Sequence, residues 1–500
     1  MTLVNRVLSP EPVGTLAEYR DAGGCAGLDA ARASDPETII GELEASGLRG
    51  RGGGGFPTGT KWRTVWENRA SMEGATVVVN AAEGEPGTFK DRTILANNPF
   101  QVVEGALIAA HVVGADRVVF GMKASAGPAL ARLRAAVAEF ERDDGAGPVA
   151  IEVLEGPEEY LYGEETALLE VISGRGPFPR LAPPFRRGVG DADEAEAVDN
   201  VDETGLAAEA EMAGPGGQSE APPALVNNVE TLANVPAIVA RGAAWFRELG
   251  TDESPGTIVC TVSGATVRAG VGEVAMGTTL RAAIEAIGGG SALKRTTKAV
   301  VSGVANAFIP AAALDTPLTY EAMQAAGSGL GSAGFIVVAD DQDLVAAAGG
   351  VSRFLAVESC GQCTPCKQDG LAIAALLGRL ARSEAEERDV AEIRDRLATV
   401  TDGARCYLAT QQQVVVASLL DRFGDEVAAH LAGEAAPQEP MVVAELLDID
   451  DGTAVVDERH ADKQPDWTYD EEYSGQAPAD RLDENREAAR ADEAGGVAGA

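Results

Sequence analysis

The strongest constraint on this 500-residue chain is a run of three cysteines, Cys360, Cys363 and Cys366, followed about forty residues later by Cys406. The C-x-x-C-x-x-C spacing puts three thiols on one tight loop, so a fold that uses all four must bring Cys406 back to that loop. In a four-iron cluster each iron takes one cysteine sulfur, which suits this arrangement. The pattern therefore favours an electron-transfer centre.

Structural zinc and a thiol switch are alternatives that the spacing leaves open. Zinc sites usually join one C-x-x-C pair to a second pair or to two histidines, whereas His111, His430 and His460 all lie far from the cysteine run in sequence. A redox-active disulfide uses one C-x-x-C and leaves the third cysteine unexplained. Cys25 and Cys260 stand alone, and we interpret both as small buried apolar residues.

The charge and hydropathy of the chain exclude several classes of protein. The formal net charge is -38 at pH 7, which argues against nucleic acid or an anionic membrane surface as a direct partner and resembles the carboxylate-rich surfaces of proteins from salt-loving organisms. No stretch of about eighteen apolar residues occurs, and the first residues lack the apolar core of a secretory signal. We therefore expect a soluble cytoplasmic protein that reaches the inner face of the cell membrane only through partner proteins.

The first part of the chain alternates helix and strand patterns. Such alternation predicts an α/β layer fold with a parallel sheet, whose ligands bind beyond the carboxyl ends of the strands. The predicted elements are a helix at 35–46, a strand at 76–80, a helix at 99–113, a strand at 117–121, a helix at 126–141 and a strand at 149–154.

One loop in this region, residues 50–62, is densely packed with glycine. Its backbone N–H groups could approach a phosphate or a flat ring with no side chain in the way. It is not a P-loop, because Lys61 is followed by Trp62 where a Ser or Thr should hold magnesium. A flexible surface turn is the alternative interpretation.

Three further segments offer polar side chains. Glu83 and Glu85 follow the strand at 76–80, and Glu164 and Glu165 open a helix, where the dipole favours negative charge. The amides of N-N-V-E-T at 227–231 could hydrogen-bond a flavin or a phosphate. Taken alone, Glu83 and Glu85 fit a solvated turn equally well. Simple helix capping would explain Glu164 and Glu165, and residues 227–231 fit a helix N-cap.

The order of these motifs gives the chain a family resemblance. It resembles the flavin-carrying, NADH-oxidising subunit of respiratory complex I, a family shared with the diaphorase subunits of NAD-linked hydrogenases and formate dehydrogenases. The likeness runs from about residue 15 to about residue 432. It is carried by the glycine-rich loop, N-A-x-E-x-E-P-G-x-F-K-D-R at 80–92, Y-G-E-E-T-A-L-L at 162–169, P-R-L-x-P-P-F at 179–185, N-N-V-E-T at 227–231, and E-S-C-G-x-C-T-P-C at 358–366 with its distant cysteine.

The resemblance implies an FMN enzyme that takes hydride from NADH and passes electrons singly to a 4Fe-4S cluster on the four cysteines. The implied partners are a thioredoxin-like 2Fe-2S subunit and further iron-sulfur subunits, with quinone as the final acceptor. Gly50, Arg51, Gly52, Gly53 and Lys61 would lie against FMN and nicotinamide, with Phe56 and Phe185 on the adenine and Asn80 and Glu83 at the flavin. Glu85 would lie near the NADH ribose and disfavour NADPH, and Gly163, Glu164, Glu165, Asn227, Asn228 and Thr231 would complete the pocket.

The chain departs from the family pattern at several positions. Ala82 stands where an aspartate normally hydrogen-bonds the flavin edge, Thr64 where some members carry an adenine-stacking aromatic, and Ala182 where many carry a lysine. Residues 407–413 replace the usual continuation after the fourth cysteine. These departures keep open a different class of function, an electron-relay or structural subunit that has lost NADH oxidation.

We predict four regions. Residues 1–240 form the FMN- and NADH-binding α/β domain with an acidic insertion at about 188–222, and 241–340 a small β-grasp (ubiquitin-like, SLBB-type) domain. Residues 341–432 form a helical bundle with the cluster, its helices at 341–356, 367–383, 385–400 and 407–432. The acidic tail 433–500 has the composition of a disordered segment.

Overall fold

The computed structural model describes residues 3–69, 74–143, 145–190, 222–292 and 295–481. Most of the predicted acidic insertion, residues 191–221, lies outside the described residues, as does the end of the tail from residue 482. No helix in the described ranges is long and apolar enough to cross a membrane. The division at about residues 240, 340 and 432 stays a prediction of domain boundaries.

A sheet of four parallel strands forms the centre of the first region, as predicted. The strands are β1 (Thr76–Ala81), β2 (Arg117–Lys123), β3 (Ala150–Gly156) and β4 (Ala224–Asn228), in the order β3-β2-β1-β4. The chain winds from β1 to β2 and β3 on one side and adds β4 on the other. The direction of winding therefore changes between β1 and β4. Open α/β sheets bind ligands at such a point, beyond the carboxyl ends of the strands.

Helices cover both faces of this sheet. Those predicted at 35–46, 99–113 and 126–141 are present with ends shifted by at most one residue. The helix Pro99–Val113 is buried on nearly every face, which explains its almost uniformly apolar sequence. The helices are α1 (Leu16–Asp21), α2 (Ala26–Arg32), α3 (Pro36–Ser46), α4 (Thr58–Asn68), α5 (Lys90–Asn97), α6 (Pro99–Val113), α7 (Gly127–Arg142), α8 (Glu165–Ile172), α9 (Val229–Arg241) and α10 (Ala243–Phe246).

A second, mixed sheet follows. Its strands are β5 (Thr257–Gly264), β6 (Gly270–Ala275), β7 (Thr297–Ser302), β8 (Ile309–Pro310) and β9 (Gly334–Ala339), in the order β6-β5-β9-β7-β8. Strands β5 and β9 are parallel and the other pairs antiparallel, and the helices are α11 (Leu280–Gly288) and α12 (Tyr320–Ala325). This topology is compatible with the β-grasp assignment, which stays a prediction.

Five helices form the cysteine-bearing region: α13 (Leu344–Glu358), α14 (Thr364–Ala381), α15 (Glu387–Thr399), α16 (Leu408–Arg422) and α17 (Gly424–Leu431). The single helix predicted over 407–432 is wrong, because the chain breaks at Phe423. Its backbone leaves the helical region, and its ring packs edge-on against Phe308 at 6.3 Å. A tertiary contact therefore overrides a continuous helical pattern.

The predicted disorder of the tail is wrong for residues 433–481. This segment contains an antiparallel hairpin, β10 (Leu446–Asp450) and β11 (Thr453–Val456), and then packs against the helical region. Its composition is acidic, but His460, Lys463, Asp466 and most of Trp467 are buried in specific contacts. Pairing of a few polar side chains supplies order that average composition does not predict. Short 3-10 turns complete the described structure at Ala124–Ala126, Tyr160–Gly163, Ala311–Ala313 and Glu458–Ala461.

Candidate functional site

A cavity of about 700 Å³ lies at the point where the winding of the parallel sheet changes direction. Asn80 of β1 pairs in register with Asn228 of β4, so two amides meet at this edge. The wall contains most of the predicted nucleotide-site residues: Gly50, Gly52, Gly53, Phe56, Lys61, Asn80, Glu83, Glu85, Gly163, Glu164, Glu165, Asn227, Asn228 and Thr231. The segments named by the sequence motifs therefore converge on one cleft.

The glycine-rich loop forms one side of the cleft and leads directly into α4. The loop closes on itself through Gly50, whose N–H donates to the carbonyl of Phe56 at 2.8 Å. Gly53 has a φ of +115°, which disfavours any residue with a side chain. A Cβ at Gly52 would lie 3.1 Å from the Cβ of Asn228, so the loop also approaches the end of β4 closely. At its glycines the loop thus presents backbone rather than side chains to the cavity.

Two predicted residues, Arg51 and Phe185, are absent from the wall. The guanidinium of Arg51 is buried behind the loop, where it donates to Tyr320 Oη at 2.9 Å and to the carbonyl of Pro255 at 3.3 Å. Its backbone N–H donates to Thr231 Oγ1 at 2.9 Å. Arg51 therefore braces the loop against the second sheet, while Phe185 packs against the core of the first region.

Glu83 is fixed by an ion pair inside the protein. Its carboxylate accepts from the backbone N–H of Asp91 at 3.0 Å and from Nε of Arg92 at 3.1 Å. Both residues belong to α5, so the carboxylate holds the first turn of this helix against the cleft.

Lys90 and Asp91 lie in the wall although sequence reasoning did not select them. Lys90 Nζ contacts Asp91 at 2.7 Å, Glu230 at 2.9 Å and Asn228 Oδ1 at 3.2 Å, so three acceptors surround this buried ammonium. Burial opposes its charge, but Asp91 and Glu230 outweigh burial and raise the pKa of Lys90. Burial also raises the pKa of Asp91 to about 6. Their place in the F-K-D-R motif was the signal that could have identified them.

Glu85 has both oxygens of its carboxylate hydrogen-bonded within the wall. Its Oε1 accepts from the backbone N–H of Val304 at 2.8 Å, and its Oε2 accepts from the hydroxyl of Tyr160. Gln411 Nε2 donates in turn to Tyr160 Oη at 2.9 Å, while its buried Oε1 has no partner among the described residues. Burial raises the pKa of Glu85. Tyr160 and Gln411 also line the cavity and were not anticipated.

The alternative interpretations of two segments, as helix caps, are partly correct. Glu164 caps α8, because its Oε2 accepts from the N–H groups of Thr166 and Ala167 at 2.9 and 2.8 Å. Asn228 caps α9 through the N–H of Glu230 at 3.0 Å. Both caps also belong to the cleft wall. Capping and a place in the site are therefore compatible roles.

The remaining polar wall residues are tied to one another. Lys61, in the first turn of α4, forms an ion pair with Glu165 across the cleft. Asn80 Nδ2 donates to the carbonyl of Gly163 at 2.8 Å, and Asn227 Oδ1 accepts from Trp62 Nε1 at 2.8 Å. These bonds fix the orientation of each amide before any ligand arrives.

The departures from the family pattern occupy different places. Ala82 lies in the cleft wall beside a small apolar cluster that includes Val78, Tyr162 and Val226. Thr64 is on α4 outside the wall, with its hydroxyl bonded to the carbonyl of Thr60 at 3.0 Å. Only the first of these two changes alters the surface that a ligand would meet.

The three cysteines of the run and Cys406 lie close together in the structure. All four pack in the apolar cluster of the helical region, and all are free thiols. Burial raises the pKa of Cys366 to about 11 and that of Cys406 to about 12, and Cys406 interacts electrostatically with Cys360 and Cys366. Because the thiols favour the protonated state, a metal centre must displace protons when it binds.

Two sulfurs receive hydrogen bonds from the surrounding chain. Gln362 Nε2 donates to Cys360 Sγ at 3.5 Å, and the N–H of Arg405 donates to Cys363 Sγ at 3.4 Å. Ser359 Oγ also lies 3.4 Å from Cys366 Sγ. Donors of this kind favour thiolate ligands of a cluster.

The histidines do not join the cysteines as ligands. His460 approaches the run in space, contrary to its distance in sequence, but its Nε2 lies 3.0 Å from Glu358. His430 is held between Asp343 and Ser383. Among the described residues no group of three or more Cys, His, Asp or Glu side chains has the geometry of a single-ion site. A cubane differs, since its cysteines each bind a separate iron.

Comparison with known proteins agrees with the two halves of this site. Residues 43–237 match the family model of the Nuo51 FMN-binding domain, and residues 346–430 match the NADH-ubiquinone oxidoreductase-F iron-sulfur binding region. The F 2 subunit of the NADH-quinone oxidoreductase of Rhizobium meliloti is 34% identical over 432 residues, which cover 84% of this chain and 96% of the relative. The chain belongs to the family of NADH-quinone oxidoreductase F subunits. The F subunit of the Streptomyces coelicolor enzyme is 33% identical, over a match that covers 85% of this chain and 90% of the relative.

A solved structure resembles this member of the family in fold. A chain of an NAD+-reducing [NiFe]-hydrogenase in the H2-reduced state superposes with a TM-score of 0.69 and 31% identity, covering 84% of this chain and 67% of that chain. The family models give this chain an FMN-binding domain and a 4Fe-4S binding region. The residues fit both groups, because the cleft offers exposed loop backbone and oriented amides, and the helical region offers four grouped thiols.

Proposed function

We propose that this protein oxidises NADH, with FMN in the cleft and a 4Fe-4S cluster on Cys360, Cys363, Cys366 and Cys406. One observation carries the proposal: Cys406 belongs both to the group of four thiols and to the wall of the cleft. A single residue therefore separates the flavin site from the cluster site. Such closeness suits electron transfer between them.

FMN, when bound, accepts a hydride and gives up electrons one at a time, which is the chemistry that the protein itself lacks. The side chains need only bind, orient and exclude water. The backbone of the glycine-rich loop allows close approach of a flat ring, and Asn80 and Asn227 orient it through amide groups already fixed by Gly163 and Trp62. Phe56, with 55% of its surface exposed at the cleft, is available to stack on the adenine of NADH.

No general base is part of this proposal. Hydride transfer between nicotinamide and flavin needs none, and the carboxylates of the wall already have other tasks. Glu83 is paired with Arg92, Glu164 caps α8, and Glu165 is paired with Lys61. Glu85 supplies a negative charge that disfavours the extra phosphate of NADPH.

The proposal extends to partners and location. We propose a thioredoxin-like 2Fe-2S subunit and further iron-sulfur subunits as electron acceptors, quinone as the final acceptor, and a cytoplasmic location at the inner face of the membrane through those subunits. The similarity to the chain of an NAD+-reducing hydrogenase favours a second candidate, a soluble diaphorase module. Identifying the proteins that copurify from the native cell discriminates the two.

An anaerobic NADH titration of the purified, iron-loaded protein in concentrated potassium chloride tests the proposal. We expect NADH to bleach the visible flavin absorbance and NADPH to bleach it much less. Iron and sulfide without flavin, or a flavin that does not respond to NADH, would favour a relay or structural role instead. If the protein lacks flavin, Ala82→Asp tests whether the missing carboxylate at the flavin edge is the cause of weak FMN binding.

A further inference from the structure

The C-terminal strap, which we define as residues 434–481, lies beyond both family models, the second of which ends at residue 430. It begins alongside α13, where the N–H of Met441 donates to the carbonyl of Ala346 at 2.9 Å. It then contacts Lys123 and Arg92 behind the cleft wall and ends on the loop that carries Cys360. Its course connects the two halves of the proposed redox site.

The end of the strap covers the cysteine loop directly. The N–H of Ala479 donates to the carbonyl of Cys360 at 2.9 Å. Gly361 has a φ of +91°, and a Cβ placed there would lie only 2.2 Å from the Cβ of Ala477. Lys367, one residue after the third cysteine, donates to the carbonyls of Ser359 at 2.7 Å and Pro465 at 2.5 Å. The loop and the strap therefore fit together without space for solvent at these points.

A buried ion-pair network anchors the strap two residues before Cys360. Glu358 Oε1 accepts from Lys463 Nζ at 2.7 Å and lies 3.0 Å from His460 Nε2. Glu358 Oε2 accepts from the backbone N–H of Tyr160 at 3.0 Å. The side chains of Glu358, His460 and Lys463 are each more than nine-tenths buried. Because an unpaired charge in this place would be costly, the contact holds the strap in one position.

Trp467 provides an apolar anchor beside this network. Its ring stacks on Phe178 with centroids 5.7 Å apart, and its Nε1 donates to the carbonyl of Val357 at 3.0 Å. Its φ of +66° is unfavourable for a residue with a side chain, so tertiary contacts hold this conformation. Asp466 stabilises the same turn by accepting from the N–H groups of Thr468 and Ser474 at 3.1 and 3.2 Å.

The strap also contacts the flavin side of the site. Glu445 Oε2 accepts from Lys123 Nζ at 2.6 Å, and its Oε1 lies 3.6 Å from Arg92. The carbonyl of Leu446 accepts from the same guanidinium at 2.5 Å. Arg92 holds Glu83 in the cleft wall, so the strap braces the carboxylate loop as well as the cysteine loop.

We infer that the C-terminal strap is a built-in cover for the iron-sulfur cluster, which keeps water and soluble reagents from the cysteine loop and fixes that loop relative to the cleft. The inference rests on the proposed function, in which the four thiolates hold the cluster. Solvent access and hydrogen bonding around the sulfurs set the stability and the potential of such clusters. The residues of the strap are positioning residues and take no part in hydride transfer.

The test compares Trp467→Ala with Tyr473→Ala in the full-length, iron-loaded protein. Tyr473 is an aromatic residue of the same segment with 41% of its surface exposed, so it provides a matched control. The first measurement is the rate of iron transfer to a ferrous chelator under anaerobic, reducing conditions, and the second is the midpoint potential of the cluster by an EPR-monitored redox titration. Flavin bleaching by NADH serves as a check that the cleft is intact.

We expect Trp467→Ala to lose iron roughly tenfold faster, since one buried contact of ordinary strength changes the open population of a local segment by about that factor. Its potential should shift from the wild-type value, while Tyr473→Ala should match the wild type in both measurements. Equal rates and potentials in all three proteins would overturn the inference. If Trp467→Ala does not fold, Trp467→Phe keeps the stacking on Phe178 and removes only the bond to Val357.

A charge-compensated pair gives an independent test of the anchor. Lys463→Met leaves Glu358 without its strongest partner and should accelerate iron loss. The double variant Lys463→Met with Glu358→Gln should restore a slow rate, because the amide still accepts from Tyr160 and no charge remains unpaired. No rescue in the double variant would count against the anchor. A wild-type protein that binds no iron or sulfide would overturn the proposed function itself, a result distinct from rapid loss of a bound cluster.

Discussion

Replacing Glu85 by Gln should raise the use of NADPH while leaving the fold intact. The hydrogen bonds around Glu85 can be rearranged to accept an amide. The Gln oxygen accepts from the N–H of Val304, and its NH2 donates to Tyr160 Oη. The displaced hydroxyl proton finds an acceptor when the Gln411 amide turns over, because its Oε1, which has no partner among the described residues, then takes the place of Nε2 beside Tyr160 Oη. We therefore expect a change in the free energy of unfolding of less than about 1 kcal/mol.

The effect on specificity follows from the lost charge. A unit charge on Glu85 and a phosphate charge one water layer away, roughly 6 Å, repel by about 3 kcal/mol at an effective dielectric constant of about 20. Screening at physiological salt roughly halves this repulsion, so the expected effect is roughly 1.4 kcal/mol there and up to about 3 kcal/mol at low salt. These values correspond to about a ten- to hundredfold rise in the ratio of kcat/KM for NADPH to that for NADH.

Steady-state reduction of ferricyanide with each nucleotide, at low and high potassium chloride, measures this ratio. Glu471→Gln, an exposed carboxylate on the C-terminal strap, is the control and should leave the ratio unchanged. The gain in Glu85→Gln should be smaller in high salt. A folded Glu85→Gln protein with the wild-type ratio at low salt would refute the assignment of Glu85 as the discriminator.

Further predictions concern pH, the buried ammonium, the loop and the cluster. Since burial raises the pKa of Glu85, its charge is lost as pH falls through that raised pKa, so discrimination against NADPH should weaken toward acid pH; a ratio that is constant with pH would contradict this. Lys90→Met should lower the free energy of unfolding by about 3–5 kcal/mol in urea titrations, because Asp91 and Glu230 lose their shared partner. Gly53→Ala should weaken FMN binding measured by fluorescence, because of its φ of +115°, whereas Gly41→Ala, on α3 with open space around it and outside the cleft wall, should not. Cys406→Ser should lower iron and sulfide content with FMN retained, and Cys260→Ala should not alter the iron content.

The sequence predicts local elements better than it predicts long-range contacts. The run Val77–Val79 is buried on both faces, so an uninterrupted apolar stretch was enough to identify β1. At the break after α16, the ring of Phe423 packs on Phe308, more than a hundred residues away, and the local pattern contains no information about that contact. Composition misjudged residues 433–481 for the same reason, because Lys463 is ordered by Glu358.

In the candidate site, too, local features were predicted better than long-range contacts. Motif order identified most of the cleft wall, because those residues lie at strand ends and in tight loops. It selected Arg51, whose side chain turns away to Tyr320, and it omitted Tyr160 and Gln411, whose place depends on contacts between separate regions. Side-chain direction inside a loop is decided by tertiary packing, which the motif does not encode.

The C-terminal strap also has a consequence for how the protein is made. The cysteines at 360–366 and Cys406 leave the ribosome before Ala477 and Ala479, the residues that close over them. Arg92 is likewise synthesised before Leu446, its hydrogen-bond partner 354 positions later in the chain. On the proposed function, a cluster can therefore be inserted before the last residues of the strap dock, and access to the cysteine loop narrows after they dock.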